Sequence, residues 1–248
     1  ARKKRKEMKL DFPVHIVRAS QPKGAILLYH GWGGTAVSYL AFAEQLADEG
    51  FDVFVPELMR HDQREPLDNP FEPDVTTTYF WSVVEQSITE ATEIIKQSGW
   101  NASDVIVIGV SMGGFIAHGI LARFPTKALV AINGGGAYLK AERFFRARDG
   151  RPVIKETDVP WKHDPISVMD ERSRLLLHGD VDNIIPLSIQ QFYHTTAVRA
   201  GMAQTTELRI FPGVNHTVTD AMVEQLFAWL KQFKQLEATD GLHSFSPQ

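Results

Sequence analysis

The stretch DVIVIGVSMGG, Asp104 to Gly114, sets a run of β-branched residues directly ahead of a serine placed among three glycines. Val105 to Val110 is apolar throughout rather than alternating, the pattern of a central strand covered by helices on both faces. The residues that follow, Gly109-Val-Ser111-Met-Gly113, give the order strand, Gly-x-Ser-x-Gly, helix. Glycine suits 109 and 113 if the turn brings the strand and helix backbones too close for a side chain. Ser111 is then held in an unfavourable backbone conformation with its hydroxyl above the sheet, at a helix N-terminus that favours developing negative charge. The same five residues also suit a plain Gly-rich turn capped by serine. Their position after the most apolar run favours the first reading.

Working outward, short apolar runs recur as HIVRA, AILLYH, DVFVPE, ALVAIN, RLLLHG and ELRIFPG. Segments of helical periodicity separate them, with starts near Ala36, Thr77, Met112, Leu187 and Thr217. Repeated βα units of this kind predict an α/β domain built on a mainly parallel central sheet of about eight strands, with helices on both faces. The first strands, near Lys9 to Val17, contain Pro13 and alternate in polarity, which predicts an antiparallel edge. Residues 138–174 break the rhythm. That connection is far longer than the usual αβ loop of roughly 2–6 residues and predicts a lid or cap insertion. No Pro-, Gly- or Ser-rich linker divides the chain, so residues 1–248 are expected to form one domain.

Composition narrows the function classes. The 248 residues are 44% hydrophobic and 23% charged with a formal net charge of −4, the balance of an ordinary globular protein with no nucleic-acid or membrane surface. RKKRK at Arg2 to Lys6 is the exception and reads as a solvated tail. No cysteine is present, so a thiolate nucleophile, a disulfide framework and cysteine-ligated metal are excluded. No stretch approaches the length of a membrane span, and a cytoplasmic location is expected. Carboxylates and histidines are not gathered at metal-ligand spacings, and neither a metal nor an organic cofactor is expected.

In open α/β sheets chemistry collects at the carboxyl ends of the strands, so the residues just after each run matter most. YHGWGG at Tyr29 to Gly34 follows AILL and supplies glycines that let the backbone approach a substrate oxygen. The two converging donors that a tetrahedral intermediate needs would be the N–H groups of Trp32 and Met112. His30 precedes this loop and is expected to order it. FPGVNHTVTD places His216 after the last strand and ahead of the C-terminal helix, where a base can reach a central nucleophile. His118, inside a helix, suits packing, and His178 suits support of its loop. HGDVDNIIP offers two carboxylates to orient the base. Asp182, further out and next to the turn at Pro186, is preferred to Asp180. The order Ser111, Asp182, His216 is a triad order.

With HGWGG, GVSMGG, HGDVDNIIP and GVNH the chain resembles the α/β-hydrolase superfamily over nearly its whole length. It is most similar to small bacterial esterases grouped with dienelactone hydrolases and prolyl oligopeptidase-like enzymes. PELMRHDQRE followed by YFWSVVEQSITE is similar to the YitV-like esterases of bacilli. Dienelactone hydrolases proper carry cysteine where this chain has Ser111. The resemblance implies Ser111 as nucleophile, Asp182 as acid, His216 as base, and the Trp32 and Met112 amides as oxyanion hole.

The expected reaction is hydrolysis of a short-chain or aromatic carboxylic ester through a seryl ester. Thioesters and amides are alternatives, and a non-catalytic ligand-binding protein of the same fold is a more distant one. The 138–174 segment carries Lys140, Arg143, Arg146, Arg148 and Arg151 and few large apolar residues, unlike a lid that meets lipid. Phe144, Phe145, Trp161 and His61 are the candidate substrate contacts. Apart from a small-molecule ester, the only partner expected is a second copy in a homodimer; a monomer serves equally.

Overall fold

A computed structural model describes residues 7–240. The RKKRK run and His243 lie outside the described residues. Among the described residues seven strands form one sheet: β1 Val14–Val17, β2 Gly24–Tyr29, β3 Phe51–Pro56, β4 Val105–Val110, β5 Ala128–Ile132, β6 Ser173–Gly179 and β7 Thr206–Phe211. Their order is β1-β3-β2-β4-β5-β6-β7, with β1 antiparallel to β3 and every other pair parallel. The sequence predicted about eight strands, and the difference lies before Pro13. Lys9 bonds through its N–H and carbonyl to the Gln97 side chain (2.6 and 2.9 Å) and not to a strand. Pairing begins where the Pro13 carbonyl accepts the Glu57 N–H at 3.0 Å, because proline itself has no donor to offer.

Among the described residues six α-helices complete the layers: α1 Leu40–Asp48, α2 Pro73–Ser98, α3 Met112–Arg123, α4 Tyr138–Arg148, α5 Leu187–Arg199 and α6 Asp220–Asp240. Helix α2 begins at Pro73, ahead of Thr77, since proline's fixed φ suits the first helical position. It stops at Gly99, which takes the left-handed conformation (φ 82°) that ends many helices.

Alternate residues of the central strands serve opposite layers. Leu27 of β2 and Val105 and Val107 of β4 pack against α2 and α3, whereas Ile26, Leu28, Ile106 and Ile108 pack toward α1 and α6. Each of these side chains is buried, worth about 1.5–3 kcal/mol apiece. That two-sided burial is why β4 reads as a solid apolar run.

The strand order reverses beside β2, which sits between β3 and β4 with Tyr29 opposite Gly109. The crevice that such a reversal opens at the carboxyl ends brings the HGWGG loop next to Ser111. Residues 138–174 hold α4 and two short 3-10 turns, Glu156–Asp158 and Pro165–Ser167. Helix α4 is fixed to the body by aromatic packing: Tyr138 lies 4.8 Å and Trp161 4.6 Å from the Trp81 ring, and the Trp81 Nε1–H donates to Glu142 at 2.8 Å. Among the described residues no helix is long and apolar enough to cross a membrane.

Candidate active site

The turn after β4 is tight for a measurable reason. A β-carbon at Gly113 would fall 2.2 Å from the Tyr29 carbonyl oxygen, and the Ser111 N–H is tied to the Ile132 carbonyl at 2.8 Å. Ser111 is thereby held at φ 56°, ψ −119°, a conformation that L residues seldom adopt. Its hydroxyl points away from the strand toward the loop after β7.

There the Ser111 Oγ meets His216 Nε2 at 2.8 Å, and His216 Nδ1 meets Asp182 Oδ2 at 2.8 Å. The second oxygen of Asp182 accepts the N–H groups of Ile184 (3.0 Å) and Ile185 (2.9 Å), so this carboxylate, 6% exposed, has both oxygens engaged. A hydroxyl on an imidazole whose far nitrogen faces a buried carboxylate is arranged to give up its proton to the ring. Asp180 turns elsewhere: its Oδ1 accepts the Gly213 N–H at 2.7 Å. The structure therefore brings Ser111, His216 and Asp182 together and leaves Asp180 as a brace.

Two asparagines that sequence reasoning passed over hold these loops. Asn215 Oδ1 accepts the N–H of both His216 (2.8 Å) and Asn183 (3.0 Å), joining the histidine loop to the aspartate loop. Asn133, at φ 49° after β5, donates from Nδ2 to the Thr217 carbonyl (2.8 Å) and accepts the Gly179 N–H (3.0 Å). Its signal was the Asn-Gly-Gly-Gly run at a strand end, where asparagine tolerates the left-handed region. His178 supports the aspartate loop as expected, its Nε2–H donating to the Ile185 carbonyl at 2.7 Å, and burial holds its pKa below the usual histidine value.

In the HGWGG loop the amides divide their work. The Gly34 N–H donates to the Gly31 carbonyl (3.1 Å) and the Gly33 N–H to His61 Nε2 (2.9 Å). Among the described residues the Trp32 and Met112 N–H groups have no protein acceptor. A β-carbon at Gly31 would stand 3.2 Å from Ser111 Cβ, so the loop borders the serine directly. His30 orders it by donating from Nδ1 to the Gly31 carbonyl at 2.7 Å.

The substrate-contact expectations are corrected in part. Phe145 (8% exposed) and Trp161 (6%) are closed into the aromatic cluster with Phe80, Trp81 and Tyr138. Aromatic rings in a charged segment bury themselves against other rings when those are within reach. His61 is buried beneath the HGWGG loop and engaged by it. Phe144 lines a cavity of about 450 Å³ between α4 and α5, beside Lys140, Arg143, Ser188 and Phe192, and no member of the Ser111 chain lines that cavity. An exposed ring that also reaches the HGWGG loop is Phe71, 68% exposed, whose edge would lie 2.4 Å from a β-carbon at Gly33. An isolated Phe in a loop carries no sequence signal for that placement. Among the described residues no group of three or more His, Cys, Asp or Glu is placed to hold a metal ion.

Residues 20–148 match the family described as serine aminopeptidase, S33. Esterase YjfP of Escherichia coli is 26% identical over 247 residues, covering 90% of this chain and 95% of its own length. YitV of Bacillus subtilis is 24% identical over 247 residues, covering 89% and 94%. In three dimensions the chain is similar to TT1662 of Thermus thermophilus, with a TM-score of 0.71 at 23% identity over 89% of this chain and 93% of that one.

Proposed function

The chain belongs to the serine aminopeptidase S33 family within the α/β-hydrolases, and on that premise we propose that it is an esterase cleaving small-molecule carboxylic esters through a seryl ester. The carrying observation is the unbroken chain from Ser111 Oγ through His216 to Asp182, each link 2.8 Å, beside two uncommitted amides. The name of YjfP, an esterase, supports the same class.

In this reading Ser111 Oγ attacks the ester carbonyl carbon as its proton passes to His216 Nε2. Asp182 keeps the proton of the ring on Nδ1 and stabilises the imidazolium. The N–H groups of Trp32 and Met112 take the oxyanion, and the N-terminus of α3 favours the charge. Collapse breaks the bond to the alcohol oxygen, which leaves with the proton from His216. Water then attacks the seryl ester with His216 again as base, releasing the carboxylic acid and restoring the hydroxyl.

Short-chain or aromatic acyl esters suit the surroundings. The basic residues of α4 and of the turn after it are largely spent within residues 138–174: Arg146 and Arg151 reach Glu142 (2.7 and 3.3 Å), Arg148 reaches Asp149 (3.0 Å) and Arg143 reaches Glu156 (3.3 Å). Val153 is the exposed large apolar residue of 138–174, short of the broad apolar face a lid presents to lipid, while the exposed Phe71 ring offers an apolar wall at the oxyanion loop. Nitrophenyl esters, acyl-CoA thioesters and aminoacyl anilides compared side by side test the class. Esters are expected to turn over fastest, with activity falling beyond octanoyl. Fastest turnover of the anilide, or activity climbing with longer acyl chains, contradicts the reading.

A further inference from the structure

The sequence placed His61 among substrate contacts, yet the ring is 4% exposed and both of its nitrogens are occupied by backbone. Nδ1–H donates to the Met59 carbonyl at 2.9 Å, which fixes the tautomer and leaves Nε2 as an acceptor for the Gly33 N–H at 2.9 Å. We propose that His61 is a positioning residue for the oxyanion loop: by taking the Gly33 N–H it turns the neighbouring Trp32 N–H toward the substrate oxygen. The proposal rests on the esterase reading of Ser111 and its two amides.

Three observations carry it. First, the loop has three amides after Gly31, and two have acceptors inside the protein, Gly33 through His61 and Gly34 through Gly31. The Trp32 N–H lies in the same rigid peptide plane as the Gly31 carbonyl, which Gly34 and His30 hold, and the Gly33 N–H lies in the next plane, so the His61 bond fixes the second of the two planes that meet at the Trp32 Cα. Second, the segment carrying His61 is strained. Arg60, Asp62 and Glu65 all have positive φ (63°, 51° and 51°), a region that non-glycine residues rarely enter and that tends to mark functional geometry. Third, that conformation is tied down on several sides. The Asp62 carboxylate accepts the Ala36 N–H (3.1 and 3.2 Å), and the Arg64 guanidinium reaches the Glu57 carbonyl (2.8 Å) and both oxygens of Glu90 (2.6 and 2.9 Å). A bracket held in this way delivers one imidazole under one amide.

The acceptor works only while His61 is neutral. His30 and Asp62 are the titratable groups that face it. Burial holds its pKa below the ordinary histidine value; the bond to Met59 and the charge of Asp62 oppose that, and His30 adds to it. Protonation of Nε2 would turn the acceptor into a donor and release the Gly33 amide.

Two substitutions in the full chain test this. His61→Met keeps the reach and leaves only a weak thioether acceptor, whereas His61→Gln restores an acceptor oxygen at the Nε2 position. With nitrophenyl acetate, His61→Met is expected to lower kcat about 10- to 100-fold with little change in KM, below the cost of deleting an oxyanion donor outright. His61→Gln is expected to recover most of that loss. An unchanged kcat in His61→Met, or equal impairment in both variants, overturns the proposal. If His61→Met does not fold, nitrogen-15 NMR of the wild-type imidazole decides: an unprotonated Nε2 coupled to the Gly33 amide, titrating below about 6.5, is expected. A proton on Nε2 at neutral pH overturns it. Failure of a fluorophosphonate to label the wild-type protein would instead remove the esterase reading and leave the imidazole measurement standing.

Discussion

The carbonyl oxygen of Gly113 lies 1.8 Å from where the β-carbon of any larger residue at position 109 would stand. Backbone on both sides leaves neither strand β4 nor helix α3 a way to yield without displacing Ser111. Gly109→Ala is therefore expected to cost more than about 3 kcal/mol and at least about 100-fold in kcat/KM. Gly99→Ala is the control: its φ of 82° is unfavourable, but nothing lies within 4 Å of the new carbon. Thermal unfolding should show a loss of only about 1 kcal/mol there, with activity unchanged. Equal effects at the two positions would contradict the packing argument.

Asp182 and Asp180 sit two residues apart and are separated by their partners. Asp182→Asn keeps the volume and the Ile184 and Ile185 bonds but fails to hold the proton on His216 Nδ1. A fall in kcat of about 10³- to 10⁴-fold with KM nearly constant is expected. Asp180→Asn, which keeps an oxygen for the Gly213 N–H, should stay within about threefold of wild type. Steady-state kinetics on one ester distinguish them, and a reversed ranking would transfer the role of acid to Asp180.

The parts legible in the sequence were those fixed by local pattern. Two-sided burial makes β4 and Leu175 to Leu177 of β6 solidly apolar, and the close backbones at Gly109 and Gly113 admit only glycine, so the sheet centre and the serine turn were both visible. Pro13 gave the antiparallel edge, but not that Lys9 would pair with Gln97, because such a bond depends on where α2 ends. The four candidate substrate contacts fared worst. Phe145 and Trp161 have the same sequence character whether they face a ligand or one another, and tertiary packing alone decided for the cluster around Trp81. Asn133 and Asn215 were missed because a single polar side chain bridging two loops has no periodicity to betray it.

Buried histidines set the acid stability. Burial and the nearby Arg174 push His118 down to about 3, and His61 and His178 also lie below their ordinary value, chiefly through burial. The unfolded chain takes up these protons first, near pH 6.5, so stability is complete above that pH and declines as the pH falls toward the folded values. Each such group contributes a slope of up to about 1.4 kcal/mol per pH unit. Asp164, raised by burial, opposes the trend at the acid end. Urea midpoints should drop steadily from pH 7 to pH 5, roughly the window in which histidine titrates. A flat profile would contradict neutral burial of these rings.

Trp161 is expected to matter for stability and not for selectivity. Its ring lies 4.6 Å from Trp81 and 5.7 Å from Tyr138, inside the cluster that fastens residues 138–174 to the body. Trp161→Ala should destabilise the protein by about 3–5 kcal/mol while leaving the ranking of acyl chain lengths intact. Thermal unfolding and an ester series measure both. A changed ranking with an unchanged melting temperature would return Trp161 to the substrate pocket.

The nucleophile itself is open to direct chemistry. Intact protein treated with a fluorophosphonate, digested and analysed by mass spectrometry should carry one adduct, on Ser111, and Ser111→Ala should carry none. An adduct on another residue, or no adduct on the folded wild-type protein, would contradict the account at its centre.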